Sequence, residues 1–91
     1  MATLEVTIVS PQELLFQGQA NHVIVPGEAG VFEICPFHRP IVSRLLAGLI
    51  VLDDQMVPIQ RGIIKVEHDA VIAIVEPDPA GGPGGGSPQQ S

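Results

Sequence analysis

Apolar and polar positions alternate along most of this chain. In "LEVTIV", Leu4, Val6 and Ile8 alternate with Glu5 and Thr7, the period-two pattern of a strand with one buried face. Ser10-Pro11 ends the run, because proline has no amide for a continuing ladder. "ELLF" (13–16) and "ANHVIV" (20–25) lie either side of Gly18 and predict the next two strands. Pro26-Gly27-Glu28-Ala29-Gly30 predicts a turn, since proline fixes φ and glycine accepts positive φ. "VFEIC" (31–35) reads as strand and "PFHRP" (36–40) as a stiff loop.

The second half repeats the signal. "IVSRLL" (41–46) and "LIVL" (49–52) are strands parted by Ala47-Gly48, and Asp53-Asp54-Gln55 is a polar turn. Pro58 marks "MVPIQ" as an edge strand or a bulge. "IIKVE" and "VIAIVE" face each other across His68-Asp69, the clearest hairpin in the chain. Only residues 41–50 could make three helical turns, and their Val, Ile and Gly content opposes it. The expected fold is all-β, a β-sandwich or barrel of about ten short strands.

Composition divides the chain. Residues 77–91 contain no aliphatic side chain larger than Ala80, so burial cannot offset the entropy of ordering them. They predict a flexible Gly/Pro/Ser tail after a folding unit spanning 1–76. A unit this small buries only about 60–65% of the surface its unfolded chain exposes, so a partner would add to its stability. Cys35 is the one cysteine, which rules out an intramolecular disulfide and suits a reducing compartment.

Charge removes further classes. Four basic residues, Arg39, Arg44, Arg61 and Lys65, stand against ten acidic ones, for a formal net charge of −6. Nucleic acid and anionic membrane surfaces are therefore poor partners. "MATLEVTIVS" has no basic n-region, so no signal peptide is expected. The longest aliphatic run, at 48–52, is too short to cross a bilayer, so direct membrane insertion is not expected either.

Candidate chemistry is sparse. A metal site would draw on His22, His38, His68 and Cys35, of which only Cys35 and His38 are close in sequence. A nucleophile would need Cys35 activated by His38, yet Cys35 ends an apolar strand where burial is expected. "PGEAG" lacks the spacing and the following helix of a phosphate loop. Glu67-His68-Asp69 and Asp53-Asp54 fit turns better than an acid–base cluster or a cation cage. No catalytic residue, metal or cofactor is expected. One binding-module alternative remains, a lipoyl- or biotinyl-type carrier modified on Lys65, the only lysine. Those domains place the lysine on a hairpin tip, whereas Lys65 falls inside a strand.

Three collinear stretches carry a family likeness: "IVSPQELLFQG" (8–18), "VIVPGEAGVFEICPFHRPIVSRL" (23–45) and "RGIIKVEHDAVIAIVE" (61–76). Together they resemble the N-terminal domain of the epsilon subunit of F-type ATP synthase. The marks are Ser10-Pro11, Phe16-Gln17-Gly18, the Gly27–Gly30 turn, the Pro36–Pro40 loop, and Arg61-Gly62 leading to Val66. The chain departs from the pattern at Phe37, usually glycine, at Arg39, usually alanine, and at Arg61, usually the first of paired glycines. Val31 stands where acidic or polar residues are common. A Gly/Pro tail takes the place of the family's C-terminal helical hairpin.

The resemblance implies a two-sheet β-sandwich acting as a non-catalytic central-stalk subunit of a proton- or sodium-translocating enzyme, fastening the gamma subunit to the membrane c-ring for torque transmission. It implies a peripheral position on the cytoplasmic face of the bacterial plasma membrane, without the inhibitory hairpin. By position, Glu28, Gly30 and Val31 would face the polar loops of the c-ring. His38, Pro40 and Ser43 would face gamma.

Overall fold

The computed structural model describes residues 2–79, so the tail expected at 77–91 lies almost wholly outside the described residues. Eight strands make up the fold: β1 (Leu4–Val9), β2 (Leu14–Ala20), β3 (Val23–Gly27), β4 (Gly30–Ile34), β5 (Ile41–Leu45), β6 (Gly48–Leu52), β7 (Gln55–Glu67) and β8 (Ala70–Pro77). β2, β1, β8, β7 and β5 are neighbours in that order, while β4, β3, β6 and the first part of β7 form the other layer. A single pair, Gly27 with Leu45, links the layers through β3 and β5. Every pairing is antiparallel except β1 with β8, where Val6 lies opposite Val71. This is the expected all-β sandwich.

The alternation places the core between the layers. Leu4, Val6 and Ile8 of β1 are buried, as are Val71, Ala73 and Val75 of β8 and Val23 and Val25 of β3. Ile34, Leu45, Ile50, Leu52, Ile59, Ile64 and Val66 fill the remaining space. Each comes from the inward phase of its strand, which fixes register, since a one-residue slip would turn the whole set to solvent.

Three boundaries differ from the sequence pattern, each for a local reason. β2 runs through Gly18 instead of stopping there, and the turn falls at Asn21-His22, leaving His22 just before β3. β3 includes Pro26 and Gly27, so only Glu28 and Ala29 turn the chain, and Gly30 takes φ +129°, which favours glycine. "MVPIQ" and "IIKVE" form one strand, β7, which lowers the strand count to eight.

A bulge explains the length of β7. Ile59 pairs with Pro77 but Arg61 pairs with Glu76, so Gln60 is an extra residue. The insertion flips the phase: Ile59 is buried before it, Ile64 and Val66 after it. One strand thus serves both layers. Pro58 lies opposite Leu49 of β6, and its carbonyl accepts from the Asp78 N–H at 3.1 Å on the other side. Because a strand residue's N–H and C=O point the same way, the amide proline lacks would not have bonded β6.

Polar side chains tie the turns. The Ser10 hydroxyl accepts the N–H of Glu13 (3.1 Å) and of Gln12 (3.2 Å), closing the connection from β1 to β2. The Asp53 carboxylate accepts the backbone N–H of Asn21 at 3.1 Å and of His22 at 3.3 Å, joining two turns distant in sequence.

Candidate docking surfaces

The Glu28–Ala29 turn presents the first expected set. Glu28 donates its N–H to Arg44 O at 3.1 Å, and its carboxylate lies 3.7 Å from the Arg44 guanidinium. Gly30 and Val31 follow at the start of β4, and Val31 is 72% exposed. An apolar tip with one paired acid is the arrangement there.

The second set begins at the other end of β5. His38 donates its N–H to Cys35 O at 3.1 Å, and its Nδ1 lies 2.7 Å from Arg39 O. Pro40 is exposed just before β5 begins. Ser43 takes the inward phase of β5 with Ile41 and Leu45, half-buried, and its hydroxyl donates to Arg44 O at 3.0 Å. The outward neighbours are Val42 and Arg44. The two sets are therefore separated along β5, whose five residues span roughly 15 Å at about 3.3 Å each.

The loop holding His38 contains a bulky residue with a left-handed backbone, Phe37, at φ +69°. Its N–H donates to Asp69 Oδ1 at 2.7 Å, which braces the loop against the β7–β8 turn. Asp69 and His68 themselves have φ of 61° and 53°, the two-residue hairpin geometry that asparagine, aspartate and glycine favour. Left-handed backbone costs a side-chain-bearing residue about 1–2 kcal/mol. Phe37→Gly should therefore stabilise the fold by about 0.5–1 kcal/mol, net of the entropy glycine returns to the unfolded chain. A urea midpoint that falls instead would mean the Phe37 ring packs on the domain.

Four residues that the sequence reading missed form an apolar surface on one sheet. Val42 (67% exposed), Ile63 (45%), Ile72 (49%) and Ile74 (52%) share the outer face of β5, β7 and β8. Register puts them side by side: Arg44 opposite Ile63, Ile63 opposite Ile74, Lys65 opposite both Val42 and Ile72. An open groove of about 540 Å³ continues this face, with Pro11, Arg44, Leu46, Arg61, Ile63 and Ile74 among its walls. The signal was present in "VIAIV" (71–75), an unbroken apolar run of the kind found where both faces of a strand are covered.

The charges on this face and at its edge are paired: Lys65, between Val42 and Ile72, with Glu67 at 3.5 Å, and Arg61 with Glu76 at 3.3 Å. Lys65 sits mid-strand while the hairpin tip is His68-Asp69, so the carrier-type alternative lacks its presented lysine. Cys35 is exposed, which corrects the expectation of a buried thiol: β4 ends at Ile34 and the last inward position falls one residue earlier. His22 is partly enclosed, with Glu33 Oε2 3.0 Å from Nδ1, out of hydrogen-bond alignment, and Asp53 Oδ1 3.5 Å from Nε2. Among the described residues no group of three or more His, Cys, Asp or Glu could hold a metal ion. No helix of the described residues is long and apolar enough to cross a membrane.

The class these residues define is an eight-stranded β-sandwich domain with one apolar sheet face exposed. Residues 3–77 match the sequence model of the family described as ATP synthase, Delta/Epsilon chain, beta-sandwich domain, and the chain belongs to that family. The ATP synthase epsilon chains of Bordetella parapertussis and Bordetella bronchiseptica are each 35% identical over 81 residues, covering 84% of this chain. The chain spans 58% of the length of these relatives. Two solved structures share the fold. One is a chain of the Tetrahymena thermophila mitochondrial ATP synthase central stalk/c-ring (TM-score 0.68, 12% identity, 80% of this chain and 63% of that one). The other is a chain of the Euglena gracilis mitochondrial ATP synthase OSCP/F1/c-ring (TM-score 0.75, 17% identity, 82% and 51%).

Proposed function

We propose that this domain is a structural, non-catalytic part of an F-type ATP synthase rotor, holding a gamma subunit to the c-ring. The observation that carries the reading is the outer face of β5, β7 and β8. Four large aliphatic side chains stand exposed there between paired charges. A face of that kind loses free energy to water until a partner covers it. Gamma would cover it, with His38 and Pro40 at one border. The polar loops of the c-ring would meet Glu28, Gly30 and Val31 at the far end of β5. Membership of the family supports a rotor role, as does the structural likeness to a chain of the Tetrahymena thermophila central stalk/c-ring. On this reading the domain is peripheral to the membrane, on the cytoplasmic side in a bacterium.

The test is retention of the chain by the gamma subunit and by the detergent-solubilised c-ring of the same organism. The expected result is a complex of all three, with Val31→Asp weakening retention by the c-ring about tenfold and leaving gamma unaffected. Failure of gamma to retain the unmodified chain would defeat the reading.

A further inference from the structure

We infer that Phe37 and Arg39 form a second anchor on the gamma-type partner, seating in an apolar socket bordered by a carboxylate; the inference rests on the function proposed above. Among the described residues Phe37 is the most exposed large hydrophobic side chain, at 83%, and its backbone is strained at φ +69°. Both features are unfavourable in the isolated domain, and the loop is nonetheless held in place. Pro36 and Pro40 bracket it, and the Asp69 carboxylate grips the Phe37 N–H at 2.7 Å. A strained residue fixed by its surroundings, with its side chain turned to solvent, is arranged for contact.

Arg39 supplies the second half of the chemistry. Arg44, Arg61 and Lys65 each have a carboxylate partner, Glu28, Glu76 and Glu67. Among the described residues the Arg39 guanidinium has none, although the chain is rich in acids. An aromatic ring and an unpaired guanidinium two residues apart on a rigid loop match the side-chain types that dominate binding at protein interfaces. The guanidinium calls for a carboxylate on the partner.

Continuity favours gamma as the occupant. Pro40 and Val42 line one groove with the Lys65–Glu67 pair, so the loop ends where the β5–β7–β8 face begins, and the two are continuous across that pair. The net charge of −6 opposes both pairing of two copies and approach to an anionic bilayer. A rigid loop also loses little freedom when it docks, which favours its use as an anchor.

The experiment measures the affinity of the full chain for the gamma subunit by calorimetry, with Phe37→Gly, Arg39→Glu and Ile63→Asp as variants. Phe37→Gly is expected to weaken binding about tenfold while raising the thermal midpoint, a pair of opposite effects that loss of folding cannot produce. Arg39→Glu is expected to weaken binding by about tenfold and to flatten its dependence on salt. If Phe37→Gly binds within about twofold of the unmodified chain while Ile63→Asp is weakened, this inference fails and the proposed function stands. If the unmodified chain does not bind gamma, both fail. A dimer in sedimentation, or binding to phosphatidylglycerol vesicles, that disappears in Phe37→Gly would overturn the assignment in favour of those occupants.

Discussion

Gly62→Val is expected to be the most damaging single substitution in the domain, lowering stability by about 3 kcal/mol or more. Gly62 follows the bulge, on the inward phase of β7, paired with Leu45 on one side and Val75 on the other. A Cβ there would lie 2.7 Å from Ile74 O, 2.7 Å from Val75 Cγ1 and 3.1 Å from Val75 Cα. Two of those atoms are backbone, so relief requires β8 to move away and opens the β7–β8 ladder. The loss would exceed a third of the total stability of a domain this size if that stability is near about 8 kcal/mol, at a typical 0.1 kcal/mol per residue. Denaturant unfolding measures it; a midpoint close to the unmodified protein would mean β8 has room that its register does not reveal.

The second large effect separates two neighbouring isoleucines. Ile64 is buried against the opposite layer, while Ile63 points outward on the apolar face. Ile64→Ala should cost about 2–5 kcal/mol through lost transfer energy and the cavity left behind. That corresponds to a thermal midpoint lower by roughly 10 °C or more. Ile63→Asp should change stability far less, because its environment is already half water. In complex with gamma the same substitution would desolvate a carboxylate whose one cationic neighbour, Arg44, is already paired with Glu28, and weaken binding by about thirtyfold or more, roughly 2 kcal/mol. Adjacent residues with opposite profiles, one in stability and one in binding, would follow from strand phase alone. Equal effects on both quantities at both positions would contradict the assignment of faces.

Much of the fold is legible in local pattern. Leu4, Val6 and Ile8 announce their buried face by alternation, and His68-Asp69 announces a hairpin because aspartate tolerates the left-handed backbone a two-residue turn needs. The bulge is not legible. Pro58 hints at an irregularity, but the extra residue is Gln60, and only the shift from Ile59–Pro77 to Arg61–Glu76 reveals it. The parallel pairing of β1 with β8 joins the two ends of the domain and leaves no local mark. Cys35 misled because "VFEIC" alternates weakly, and one residue of phase decides between core and solvent.

The candidate docking surfaces were only partly legible. His38, Pro40 and Ser43 were all reached through resemblance, and Ser43 lies half-buried on the inward phase of β5, with Val42 and Arg44 turned outward. Val42, Ile63, Ile72 and Ile74 become a single patch only when three strands are aligned. The departures from the family pattern gain physical sense from geometry. Arg61 can replace a glycine because its side chain stands in solvent beside Glu76, whereas Gly62 next to it has no room for a Cβ. Phe37 stands where glycine would relieve a left-handed backbone.

Methyl-labelled chain titrated with unlabelled gamma subunit tests the central claim directly, because each Ile and Val methyl reports on its own face. The account predicts that Val42, Ile63, Ile72 and Ile74 shift or broaden on binding, while Ile24 and Val51, on the outer side of the other layer, keep their signals. Perturbation centred on Ile24 and Val51, with the four residues of the β5–β7–β8 face unchanged, would contradict it.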